Sequence, residues 1–198
     1  MKRPGFLVIL AAMFAAAVAS PARAADALAE TVILVAKPQL RDQLYGSTII
    51  IARPVGNDRH VGFIINKPTQ VTLGKLFPNH GPSQKVPGPV YLGGPYRTEV
   101  IFALVQRPNT PGGHSVQITR DLYLAMETEV VDRIIEVEPQ HARFFAGMVL
   151  WKPGELSSEL NRGLWYVLDA QSDLVVRKST DGLWEELVRR SERQANMI

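Results

Sequence analysis

The sequence predicts a mixed α+β fold in a single domain, on three observations. The chain has 198 residues, and the 174 that follow an N-terminal leader suit one domain. Short apolar runs without polar alternation crowd the first half, and such runs read as strands covered on both faces. Helical periodicity appears only later, interleaved with further strands, too irregularly for a βαβ series or a dinucleotide fold.

The leader comes first. Met1-Lys2-Arg3 is a short positive segment, residues 6–19 are apolar and uncharged, and Ala22-Arg23-Ala24 fits the small-x-small cleavage rule. The apolar run is shorter than the ~20 residues that span a bilayer. Residues 1–24 are therefore expected to be a cleaved signal peptide, cut after Ala24. Residues 25–198 are then the mature domain, periplasmic or secreted, with no membrane span left. Removing the leader also changes the charge. The full chain has 22 Lys+Arg against 19 Asp+Glu, and Lys2, Arg3 and Arg23 leave with the leader, so the mature chain is balanced. A nucleic-acid partner is not favoured, because phosphate recognition calls for a basic excess. The absence of Cys excludes a lipoprotein anchor, thiol catalysis, cysteine zinc sites and disulfides.

The elements follow in order. Residues 32–36 form an apolar strand closed by Lys37-Pro38, since proline cannot donate to a ladder. Residues 48–52 and 61–65 flank the turn signal Gly56-Asn57-Asp58 and are expected to form a hairpin. Residues 72–77 form a short helix with Leu73, Leu76 and Phe77 on one face and either Thr72 or Gln70 near its cap position. Residues 80–89 are a Gly/Pro-rich loop. Residues 90–92 and 99–106 are strands, and residues 115–119 and 122–126 are a hairpin or edge pair. A helix opens at Thr128, with Val130, Val131, Ile134 and Ile135 inward and a Glu129–Arg133 surface pair. A strand over 144–150 leads to Trp151. Pro153-Gly154-Glu155 starts a helix with Leu156 and Leu160 inward. Residues 164–168 and 174–177 are further strands. Thr180-Asp181-Gly182 then caps a last helix bearing Leu183, Trp184, Leu187 and Val188, and the polar tail after Ser191 is expected to fray.

The chain is organised around residues 61–95. Its apolar runs 62–65 and 90–92 each end in turn residues, Asn66-Lys67-Pro68 and Gly93-Gly94-Pro95, and the two ends are expected to meet. Asn66 and Lys67 offer an amide and an ammonium to an anionic ligand, although turn chemistry alone explains them. Gly93 and Gly94 offer backbone N–H groups for an anion nest, or serve a tight turn needing positive φ. Trp151 and Trp165 flank Glu155, giving either an aromatic wall beside helix-terminal donors or plain core packing. Glu155 complements the helix dipole, and Glu159 lies one turn on and faces the same way, so the two carboxylates offer a metal- or proton-sharing pair or are simply solvated surface acids. No catalytic set is visible. His60, His80, His114 and His141 are isolated, without metal-ligand spacing, no nucleophile elbow surrounds a serine, and no cofactor motif occurs.

Several separate motifs in order carry a resemblance. They are Lys37-Pro38-Gln39-Leu40, Gly62-Phe63-Ile64-Ile65-Asn66-Lys67-Pro68, Thr72-Leu73-Gly74 and Val90-Tyr91-Leu92-Gly93-Gly94-Pro95. The second half adds Gly147-Met148-Val149-Leu150-Trp151, Gly154-Glu155-Leu156 with Glu159-Leu160, and Trp165. With these the chain resembles the YqgE/AlgH family of bacterial proteins. The resemblance implies a bifurcated mixed sheet with a small barrel-like core surrounded by helices, and no one activity. One member's name records regulation of alginate genes. Two features depart from the family pattern: the export leader, and Lys152-Pro153 where small residues are usual. The expected function is a non-enzymatic accessory protein that binds a small ligand or protein partner through Asn66, Lys67, Gly93, Gly94, Trp151 and Glu155. The alternatives are a transcriptional regulator and a hydrolase pairing Glu155 with a nearby histidine.

Overall fold

Ten strands and six α-helices fill residues 28–196, the part of the chain that the computed structural model describes. The proposed leader lies outside them. Strands β1 (Val32–Ala36), β2 (Ile49–Pro54) and β3 (His60–Ile64) form an antiparallel meander. Their side chains alternate between two buried faces. Ile33, Val35, Ile49, Ile51 and Phe63 join one core cluster, while Leu34, Ala36, Ile50, Ala52 and Ile64 join the other. Burial on both faces is why these runs lack polar alternation.

The chain continues through β4 (Pro68–Thr72), α1 (Leu73–Leu76), α2 (Gly81–Gln84), β5 (Pro89–Leu92), β6 (Tyr96–Gln106), β7 (Val116–Gln117) and β8 (Leu122–Ala125). Then come α3 (Thr128–Val137), β9 (Ala142–Trp151), α4 (Glu155–Asn161), β10 (Trp165–Asp169), α5 (Ser172–Val176) and α6 (Leu183–Ala195). The sheet runs β10-β1-β2-β3-β9-β6-β8-β7, with β4 and β5 branching off β9. Strand β9 is the fork. One edge pairs with β6, while the other pairs with β3 near Trp151 and with β5 at Phe145 and Ala146. The β5–β9 pair is parallel, so the sheet is mixed. It curls into a half-barrel within a single α+β domain, as the resemblance implies. The two expected strand ends do meet: Ile64 N donates to Gly93 O at 2.8 Å, and Leu92 N to Lys67 O at 2.9 Å.

Helix α3 buries the four residues its periodicity nominates. Helix α6 buries Leu183, Leu187 and Val188 and anchors Trp184 Nε1 on Ala36 O at 2.8 Å. Each fully buried leucine contributes about 1.5–3 kcal/mol.

Several expectations are corrected. Residues 174–177 are not a strand. Helix α5 covers Ser172–Val176, because Ser172 hydrogen-bonds Thr119 and Asp121, and Gln106 donates to Asp173 at 3.0 Å. These long-range polar ties override the β preference of Val175 and Val176. The polar segment Pro68–Thr72, to which the sequence assigns no strand, is one, held by its pairing with β5. Helix α1 lasts one turn, so only Leu73 is buried, and Leu76 and Phe77 are exposed. The loop expected over 80–89 contains α2. Arg133 donates to Pro111 O at 3.4 Å rather than pairing with Glu129. Helix α6 runs past Ser191, itself buried, to Ala195.

Candidate functional site

The candidate site lies at the C-terminal end of β9. Trp151 stands opposite His60 on β3, and its indole lies over Gly62. A Cβ at Gly62 would stand 2.8 Å from the ring, a distance that side chains do not tolerate, so this glycine makes room for the tryptophan. After Trp151 the chain turns through Lys152-Pro153 to Gly154, at φ +78°. Helix α4 begins there, and Glu155 Oε2 accepts the Lys152 N–H at 2.8 Å, closing the turn. One turn on, Glu159 Oε2 accepts both indoles, Trp165 Nε1 at 2.9 Å and Trp151 Nε1 at 3.2 Å. Both tryptophans are buried, so their donors need an internal acceptor. A carboxylate holding two N–H groups is a strong one.

A cleft of about 270 Å³ opens beside this carboxylate, lined by Tyr45, Leu150, Trp151, Glu155, Glu159 and Arg162 among others. Tyr45 comes from the loop joining β1 to β2. Asp42 Oδ1 accepts from Leu44 N and Tyr45 N, both at 2.8 Å, folding that loop into an Asx turn. Burial first, then the charges of Glu159, Asp42 and Glu155, push the Tyr45 phenol above its ordinary value. Tyr45 therefore stays a neutral hydroxyl that can donate or accept.

Of the residues nominated from sequence, Trp151 and Glu155 line this cleft. Asn66 and Lys67 do not line it. Asn66 Oδ1 accepts from Ile49 N at 2.8 Å and its Nδ2 donates to Ser47 O at 2.9 Å. Lys67 Nζ donates to the carbonyls of Leu44 and Gln43. Burial lowers the pKa of this ammonium, and Asp42 opposes that shift. Lys67 thus holds the loop that carries Tyr45, and Asn66 holds the junction of that loop with β2, while Tyr45 itself lines the cleft. Gly93 and Gly94 pack against β9. The Gly93 N–H goes to Ala146 O at 2.9 Å. A Cβ would stand 2.2 Å from Gly147 O at Gly93 and 2.2 Å from the Met148 carbonyl carbon at Gly94. Their shared requirement is close backbone approach at the fork; a tight turn with positive φ does not explain Gly93.

Tyr45 and Arg162 are not among the residues nominated from sequence, and Glu159, expected as a solvated acid or as half of a metal- or proton-sharing carboxylate pair, instead holds the two indoles. The Asp-x-x-Tyr-Gly spacing at residues 42–46 is an Asx-turn signal, but nothing local says where that turn lands. No histidine among the described residues pairs with Glu155 or Glu159. His60 contacts Leu28 O at 3.2 Å, and His114 pairs with Glu127. His80 joins Ser83 Oγ at 2.8 Å and Glu136 at 3.6 Å. This last trio resembles a catalytic relay, but Ser83 is fully buried within α2 and its hydroxyl is closed to substrate. Among the described residues no cluster of three or more His, Asp or Glu could hold a metal ion, and no helix is long and apolar enough to cross a membrane.

The AlgH-like family model matches residues 33–196. A UPF0301 protein of Streptomyces coelicolor is 26% identical over 170 residues, 84% of this chain and 88% of the relative. One from Chlorobaculum tepidum is 25% identical over 160 residues, 79% and 83% of the two chains. Among solved structures, a Corynebacterium diphtheriae protein superposes with a TM-score of 0.68 at 22% identity, covering 82% of this chain and 86% of that one. The AlgH protein of Pseudomonas aeruginosa gives 0.67 at 20% identity, with coverage of 81% and 87%. These structural likenesses establish the shared fold.

Proposed function

The chain belongs to the AlgH-like family, and from that premise we propose that it is a binding protein without a reaction of its own. It takes a small polar ligand, or a polar segment of a protein partner, in the cleft between Tyr45 and α4. The observation that carries this reading is the Glu159 carboxylate, fixed by two buried indoles beside a cleft that also offers a neutral phenol and the Arg162 cation. Orientation is built in before anything binds, which lowers the entropy cost of recognition. A hydrolase using Glu155 is less well supported, because general acid–base chemistry needs a partner within hydrogen-bond reach. Glu155 meets a backbone N–H instead. A transcriptional regulator is less well supported by the charge balance of the mature chain.

The test is native mass spectrometry of the protein purified from cell envelopes, wild type beside Glu155→Gln and Arg162→Met. We expect a retained adduct in the wild type that both folded variants lose. Adducts that survive unchanged in both would defeat the cleft as the binding site. The leader is part of the same reading: residues 1–24 direct export and are removed. Fractionation with N-terminal sequencing should find the mature protein outside the cytoplasm and beginning at Ala25. A cytoplasmic protein that retains Met1 would sink the export assignment.

A further inference from the structure

Arg143 on β9 is 6% exposed, and among the described residues no carboxylate lies within ion-pair distance of it. Nη1 donates to Ile65 O at 2.9 Å, while Nη2 is buried and unpartnered. The guanidinium stacks over the Tyr91 ring, 4.4 Å from its centroid. A buried cation without a counter-charge is costly, and a stacked ring offsets only part of that cost. Burial accordingly pushes the Arg143 guanidinium below its ordinary value, while it stays charged at neutral pH. No residue of this group lines the cleft beside Glu159.

We propose that Arg143 and the Tyr91 hydroxyl form a second site, one that takes a small oxyanion of the phosphate or carboxylate class at the fork of the sheet. The anion supplies the missing counter-charge and an acceptor for Nη2, in the fork geometry that guanidinium groups present to oxyanions. The site lies where the turns Asn66-Lys67-Pro68 and Gly93-Gly94-Pro95 flank β5, since Arg143 holds Ile65 and Tyr91 pairs with Pro68 and Phe145. Occupancy would therefore brace the turn whose Asn66 and Lys67 grip the Tyr45 loop.

Thermal unfolding in inorganic phosphate, in acetate and in chloride at matched ionic strength tests this. At roughly ten times its Kd, the preferred oxyanion should raise the wild-type Tm by about 3–5 °C over chloride. Arg143→Met should lose that increment. Equal increments in both proteins would mean general salt exclusion and would overturn the site, as would no increment in the wild type. Should Arg143→Met not fold, the Arg143 side-chain N–H resonances of the wild type decide the matter. Saturable movement with phosphate or acetate but not chloride supports the site, and static resonances overturn it. Tyr91→Phe should weaken that movement several-fold.

Discussion

Replacing Glu159 by alanine removes the acceptor shared by two indoles. Trp151 is 4% exposed and Trp165 5%, so neither N–H turns readily to bulk water. A buried donor left unmade costs about 1–3 kcal/mol. Glu159 itself borders an open cleft, so water entering the vacated space recovers part of the loss for the nearer indole. The expected destabilisation is about 2–4 kcal/mol, near the upper range of single substitutions. In a domain this size it lowers Tm by roughly 5–15 °C. Glu159→Gln keeps one acceptor oxygen and should cost only about 1 kcal/mol. Urea unfolding followed by tryptophan fluorescence gives both numbers. The two indole N–H resonances provide a second reading, since both should move in Glu159→Ala while the Trp184 resonance, bonded to Ala36 O, stays. An alanine variant within about 0.5 kcal/mol of wild type would refute the reasoning, because the range for surface substitutions would then describe Glu159 adequately.

Other consequences follow from the same geometry. Gly94→Ala drives a Cβ into the β9 backbone and should abolish folding or cost about 4 kcal/mol or more. Gly81→Ala, whose Cβ would meet open space, should stay near neutral by the same denaturation assay. Hydrogen bonds from Ser172 first, then Gln106, hold the Asp121 carboxyl below the usual range. A depressed carboxyl contributes stability above its unfolded pKa and loses it as pH falls through the folded one. Ser172→Ala should therefore narrow the stability gap between neutral and strongly acidic pH, read from urea midpoints. The hydrogen bond to Glu127, then its charge, raises the pKa of exposed His114, and His114 correspondingly lowers that of Glu127. The pair's contribution is present below His114's unfolded pKa and lost as pH rises through its raised one. It is also lost at the acid end, as Glu127 protonates. An NMR titration should find that Glu127→Gln returns His114 towards its ordinary range. Likewise Glu159→Gln should lower the Tyr45 phenol pKa, seen by tyrosinate absorbance.

The site was only half legible beforehand, for an identifiable reason. Trp151 and Glu155 are neighbours in sequence, and local motif reading finds neighbours. Tyr45 reaches the same cleft from more than a hundred positions away, through an Asx turn whose destination depends on Asn66 and Lys67. Those two residues announced themselves as polar groups at a strand end. Their partners are the carbonyls of the loop before β2 and the first amide of β2, which no local rule places beside them.

By itself the sequence determined the strand meander, α3, α4 and α6, the mixed class and the family, because apolar periodicity and turn chemistry act over a few residues. It could not decide that 172–176 would coil into a helix, that Pro68–Thr72 would be captured as a strand by β5, or that Glu159 would close over two indoles. Those outcomes belong to the tertiary structure. A weak local preference of a few tenths of a kcal/mol yields to hydrogen bonds and ladder pairings worth more, and their partners come together only once the sheet has forked at β9.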